Sequence, residues 1–161
     1  MKFLLALLAL PLLCDLAIAA DPYKEEVLTL TQAKNLVAGC ETYARKNKLA
    51  PLSMAVYDAS GNIKFFLRQD GAKFMTLDFA QIKGRSAAAS GLATSELAAI
   101  EFENKEQPLG IPYVNGLTIL QGGVAVASKS GQHLGGFGVS GAPAEHDEAC
   151  GIAGIEKMQG K

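Results

Sequence analysis

The stretch Gly136-Phe137-Gly138-Val139-Ser140-Gly141 spells G-x-G-x-x-G. In that spacing glycines can admit a pyrophosphate to the first turn of a helix. Only about 20 residues follow, too few for the second parallel strand and ribose-binding acid that a dinucleotide site needs. Nicotinamide and flavin binding are therefore set aside. Two alternatives remain: plain turn glycines, or a helix entrance at Gly141 and Ala142 whose amides hold a carboxylate or phosphate. Lys83 and Arg85, with Arg68 and Lys73 upstream, are either exposed cations or partners for ligand carboxylates. Residues two apart on an ideal helix diverge by about 200°, so Lys83 and Arg85 cannot both face one pocket of one subunit. Arg85 is the better ligand contact because its fork suits a carboxylate, which leaves Lys83 for a contact between subunits.

His133 and His146 are the only histidines. H-E-x-x-H, C-x-x-C and the haem-attaching C-x-x-C-H are all absent, so no transition-metal site is expected. G-x-S-x-G is absent too, which argues against a hydrolase. Asp58, Asp70 and Asp147 could serve as general bases. Cys40 and Cys150 form an even pair that invites a disulfide in an oxidising compartment. A buried free thiol is equally natural in an apolar stripe, and two separate thiols are the favoured expectation.

The elements that must position these groups follow from pattern. Residues 1–20 form a signal peptide: Lys2 supplies the charge, Phe3 to Leu13 the apolar run, and Ala17-Ile18-Ala19 the small residues before cleavage after Ala19 or Ala20. Asp15 interrupts the run short of the roughly 20 apolar residues of a bilayer span, and Leu13 before Cys14 argues against a lipid anchor. The expected location is periplasmic or secreted. Residues 21–161 then make one domain. The chain carries 15 Lys+Arg against 16 Asp+Glu, a formal net charge of −1, and losing Lys2 and Asp15 leaves that balance unchanged. Such a chain lacks the basic field of a nucleic-acid binder and the polybasic segment of a protein held on anionic lipid. Its partners should be a small anionic ligand and further copies of itself.

Thr31 can cap a helix running to about Asn47, with Ala33, Leu36, Val37, Cys40 and Ala44 at helical spacing. Strands at 53–57 and 63–67 flank Asp58-Ala59-Ser60-Gly61-Asn62 as a hairpin. Leu77–Ser90 reads as an Ala-rich helix, and Thr94 caps a short one over 95–102. Residues 104–115 are loop. Strands are expected at 117–120, 124–128 and 134–139, then a helix over 144–158 behind Pro143. The class is α+β: a five-stranded, mainly antiparallel sheet flanked by helices, in the order α-β-β-α-α-β-β-β-α. Small residues at Ala87–Ser90 and Gly151–Gly154 suit close helix packing between copies, so a homo-oligomer is expected.

Several segments together resemble the GlcG/HbpS family, also called the haem-degrading or DUF336 family, to which the C-terminal domain of PduO-type proteins is related. They are Val56-Tyr57-Asp58-Ala59-Ser60-Gly61, Arg68-Gln69-Asp70-Gly71-Ala72, Lys83-Gly84-Arg85-Ser86-Ala87, Gly122-Gly123-Val124, and Gly136 to Ala142 followed by Asp147-Glu148-Ala149. Gly84 and Ser86 stand where the family usually has Ala and Thr, and the Pro often seen after G-G-V is absent. The resemblance implies a five-stranded antiparallel sheet with helices, symmetric oligomers and, in some members, haem binding, haem breakdown or redox sensing. Taken with the leader and the cationic residues, it points to an exported haem-binding protein in trafficking, sensing or degradation; the residues' own chemistry, not a family ligand set, makes Arg85, Lys83, Gly141, Ala142 and His133 the candidate cofactor contacts. His133, His146, Tyr57, Tyr113 and Met75 are the candidate axial groups. The alternative is an enzyme or binding protein for another small anionic metabolite, and the sequence leaves open whether any catalysis occurs.

Overall fold

The computed structural model describes residues 26–161, and the expected signal peptide over residues 1–20 lies outside them. The elements in chain order are α1 (Leu30–Lys46), β1 (Ser53–Asp58), β2 (Ile63–Arg68), α2 (Phe74–Ser90), α3 (Thr94–Glu101), a 3-10 turn (Ile111–Tyr113), β3 (Gly123–Ala127), β4 (His133–Ser140) and α4 (Ala144–Gln159). Among the described residues the sheet has four strands, all antiparallel, in the order β2-β1-β4-β3.

This corrects the expected five-stranded sheet: Leu117–Leu120 is not a strand. Its backbone is tied elsewhere, with the Thr118 amide donating to Ser86 Oγ at 2.8 Å and the Leu117 amide to the Val114 carbonyl. The segment therefore runs over α2, and only at Gly122 does the chain swing onto the sheet. Helix starts also shift. Thr29, not Thr31, caps α1 in a reciprocal box with Gln32. Ala93 precedes α3, while the Thr94 hydroxyl accepts from the Gly123 amide at 2.9 Å.

The sheet's two faces differ because side chains alternate along strands. Met54, Val56, Phe137 and Val139 point to one face and form the main core with Leu36, Val37 and Cys40 of α1 and Cys150 of α4. The other face carries Ala55, Gly136 and Gly138, and α2 lies on it. With no side chains between them, the backbones nearly touch. A Cβ at Gly138 would sit 2.0 Å from the Ala80 carbonyl oxygen, and one at Gly84 would sit 2.8 Å from the Ala55 carbonyl oxygen. Gly136 and Gly138 are thus mid-strand residues rather than turn glycines.

Part of the small-residue stretches expected to meet another copy is used within the chain, while Ala89 and Ser90 stay exposed. Ala87 and Ala88 are buried, Gly151 faces Val124, and Gly154 faces Leu36 and Phe137. Close packing of α1 on α4 at Gly39 and Gly154 also brings Cys40 and Cys150 together, with Cα atoms 4.4 Å apart. They form a disulfide, which overturns the expectation of separate thiols.

Two outcomes follow for stability. Gly138→Ala forces α2 off the sheet and is expected to cost about 2–3 kcal/mol or more in urea unfolding, whereas a near-zero cost would contradict the backbone contact. Replacing both cysteines by serine opens a long loop and should cost about 2–5 kcal/mol; an unchanged urea midpoint would show that the bond contributes nothing.

Candidate functional site

α2 buries the face formed by Thr76, Ala80, Lys83, Gly84 and Ala87, the i, i+4, i+7 row of one helix side. Lys83 therefore points at the sheet and is 5% exposed. A buried ammonium must be paired. Its Nζ donates to Asp147 Oδ2 at 3.0 Å and to the Val139 carbonyl at 3.1 Å. Asp147, 2% exposed in the first turn of α4, also accepts from the Ala142 amide at 3.0 Å through Oδ1. Gly122, at φ +120, leaves room for the pair: a Cβ there would lie 2.8 Å from both Lys83 Nζ and Asp147 Cβ. Burial pushes the Asp147 carboxyl above its usual range, against the downward pull of Lys83 and of the amides of Ala142 and Gly141.

This pair floors a cavity of about 300 Å³ between the start of α2, the approach to β3 and the entrance to α4. Met75, Phe79, Leu120, Ala142 and Ala144 make its walls largely apolar, and Lys73 stands at the rim. Thr76 does not offer its hydroxyl there freely, since it donates to the Lys73 carbonyl at 2.7 Å and meets Ser53 Oγ at 2.9 Å.

The structure brings Lys83, Gly141 and Ala142 together at this cavity and places Arg85 and His133 elsewhere. Asp147 already occupies the anion position that the helix entrance offers. Arg85 emerges from the opposite side of α2 into a second cavity of about 240 Å³, lined by Tyr57, Asp78, Gln81, Ile82 and Gly116. There the phenol of Tyr57 is raised by burial and lowered in smaller part by the Arg85 charge. His133, at the start of β4, donates from Nε2 to the Ala88 carbonyl at 2.7 Å. His146 shares a 3.1 Å hydrogen bond with the Tyr43 hydroxyl across α1 and α4. Tyr113 is 92% exposed. Of the five candidate axial groups only Met75 lines the apolar cavity. Asp58 is engaged in its own hairpin, accepting from the amides of Ser60 and Asn62, and Arg68 donates to the Ala72 carbonyl.

Sequence reasoning missed the Lys83–Asp147 pair, whose members are 64 residues apart. A signal existed. Lys83 falls in register with Thr76, Ala80 and Ala87, the small residues that must meet the sheet, and a lysine in that row needs an anion.

Comparison with known proteins follows the same architecture. The family model described as haem degrading protein HbpS-like matches residues 28–156. The crystal structure of HbpS is 30% identical, covering 86% of this chain and 94% of that one, with a TM-score of 0.73. The Klebsiella pneumoniae protein ORFY, of family DUF336, is 23% identical over 89% of this chain and 99% of its own, with a TM-score of 0.77. The PduOC–heme complex is 22% identical over 82% and 95%, with a TM-score of 0.72. The last two likenesses speak to fold alone. No curated protein matches the chain.

Breaking the ion pair tests this geometry. Lys83→Met leaves the buried Asp147 carboxylate unpaired and should cost about 3–5 kcal/mol, and adding Asp147→Asn, which keeps an acceptor for the Ala142 amide, should recover much of it. Additive costs in urea unfolding would show that the two groups are not coupled.

Proposed function

The chain belongs to the HbpS-like family of haem degrading proteins, and from that premise we propose that it is an exported haem-binding protein whose macrocycle site is the apolar cavity at the start of α2. The observation that carries this is the composition of that cavity and its rim. Phe79 and Leu120 offer apolar walls, Met75 a soft thioether at the mouth, and Lys73 a cation in reach of solvent. Phe74, 74% exposed, and Met75, 57% exposed, extend the apolar surface outward. These groups fit a porphyrin edge, and a Met sulfur is an established axial ligand type. A cavity of about 300 Å³ lies at the lower end of small-ligand sites, which span about 300–1,000 Å³. It therefore takes one edge of the ring, while the exposed Phe74 and Met75 meet the rest or a second copy of the chain.

When bound, haem supplies a redox-active iron. The residues here supply apolar contact and orientation. Lys83 is held by Asp147 and is not free for a propionate, which leaves Lys73 for that role. An open site of this kind supports exchangeable haem, as in trafficking or sensing, more than a closed degradation chamber. Export is supported by the apolar leader at residues 3–13 and by the Cys40–Cys150 disulfide, since such bonds persist in oxidising compartments.

Adding hemin to the purified protein is expected to give a red-shifted, saturating Soret band. Leu120→Glu places a charge in the apolar wall and should weaken haem by about tenfold or more, with the melting curve unchanged. A Soret band identical to free hemin, or equal affinity in the Leu120→Glu variant, would overturn the assignment.

A further inference from the structure

We propose that Arg85 and Tyr57 form a second binding site, specific for a single carboxylate group, in the cavity on the far side of α2. Arg85 leaves the helix roughly opposite Lys83, as the angular spacing of about 200° requires. Its guanidinium lies across Gly116, where a Cβ would be 3.2 Å from the guanidinium carbon. The positive φ of +81° and the missing side chain at Gly116 together make that bed. Among the described residues the Arg85 guanidinium forms no ion pair and no hydrogen bond.

Tyr57 stands opposite. Its residue is 8% exposed, its ring packs on Gly84, it lines the same cavity, and its hydroxyl forms no hydrogen bond to another described residue. The Tyr57 hydroxyl and the exposed Arg85 guanidinium both reach solvent, and the two donors share one 240 Å³ cavity in which no other described residue supplies them a hydrogen-bond acceptor. A carboxylate supplies it: two oxygens can take a forked pair from the guanidinium and a third bond from the phenol. Asp78 and Gln81 lie seven and four residues before Arg85, on the same helix face. The Asp78 carboxylate repels a second negative charge at the site, which favours a monocarboxylate over a phosphate dianion.

This site does not depend on haem at the apolar cavity. Its carboxylate has two chemical sources, a free small acid or a propionate arm of haem, and both present the same group. Sodium propanoate is therefore the probe. Titrated into the purified protein and observed by NMR against sodium chloride at equal ionic strength, it is expected to shift the Arg85 Nε–H and Tyr57 ring signals to saturation. Inorganic phosphate should shift them less. Arg85→Lys, which keeps charge but loses the fork, should weaken propanoate by about tenfold. Tyr57→Phe, which keeps the ring, should weaken it by about threefold. A linear response that matches chloride overturns the site, and so does wild-type affinity in Arg85→Lys. A further arm assigns the source: if hemin displaces propanoate and hemin dimethyl ester does not, the carboxylate is a haem propionate. If hemin leaves propanoate bound, or fails to bind at all, while propanoate still saturates, the site takes a free acid.

Discussion

The contact on which the rest of the molecule depends is the seating of α2 on a sheet face whose centre, at Ala55, Gly136 and Gly138, carries almost no side chain. Gly136 and Gly138 of β4 and Gly84 of α2 bring two backbones together where ordinary residues would hold them apart. A glycine inside a helix costs about 1 kcal/mol relative to alanine, and here that cost is offset by the approach it permits. The approach fixes the rotation of α2. Once Ala80, Gly84 and Ala87 face the strands, Lys83 must be buried and Arg85 must be exposed. Both candidate cavities are consequences of that rotation, one at the start of the helix and one on its outer side.

Burial of Lys83 in turn dictates the chain's path at the end of β4. An unpaired ammonium is not tolerated there, so α4 must begin where Asp147 can reach Lys83 Nζ. It does so after Gly141, which passes against the Pro51 carbonyl, and Pro143, which opens the helix. The amide of Ala142 then closes on Asp147. The helix entrance is an anion site already filled from within, which is why the surrounding cavity is apolar in character despite two charges on its floor.

Much of this was legible in the sequence. The 53–68 hairpin was readable because Asp58, Gly61 and Asn62 give an unmistakable turn between two apolar, β-rich runs, and the helix limits fell within a few residues. The opposite directions of Lys83 and Arg85 followed from helical spacing alone. The rest depended on contacts distant in sequence. The strand expected over 134–139 already takes in Gly136 and Gly138, but glycine carries no signal to say that a helix backbone lies directly on them. Leu117–Leu120 has strand composition, but its amides are claimed by Ser86 and by a local turn. Cys40 sits in an apolar stripe whether or not it is bonded, so only the meeting of α1 with α4 decides the matter. The roles of Lys73, Tyr57 and Leu120 depend on the cavities, which no local pattern announces.

The disulfide has a bearing on integrity that is separate from its energy. It joins the first described helix to the last, with 110 residues between the two cysteines. The connection from α3 to β3, with its exposed Phe102, Leu109 and Tyr113, lies wholly inside that covalent ring. Cleavage of the backbone there opens the ring without releasing a fragment, because both halves stay tethered through Cys40 and Cys150. In a compartment rich in proteases, a cut molecule of this protein keeps its mass until a reductant separates the pieces.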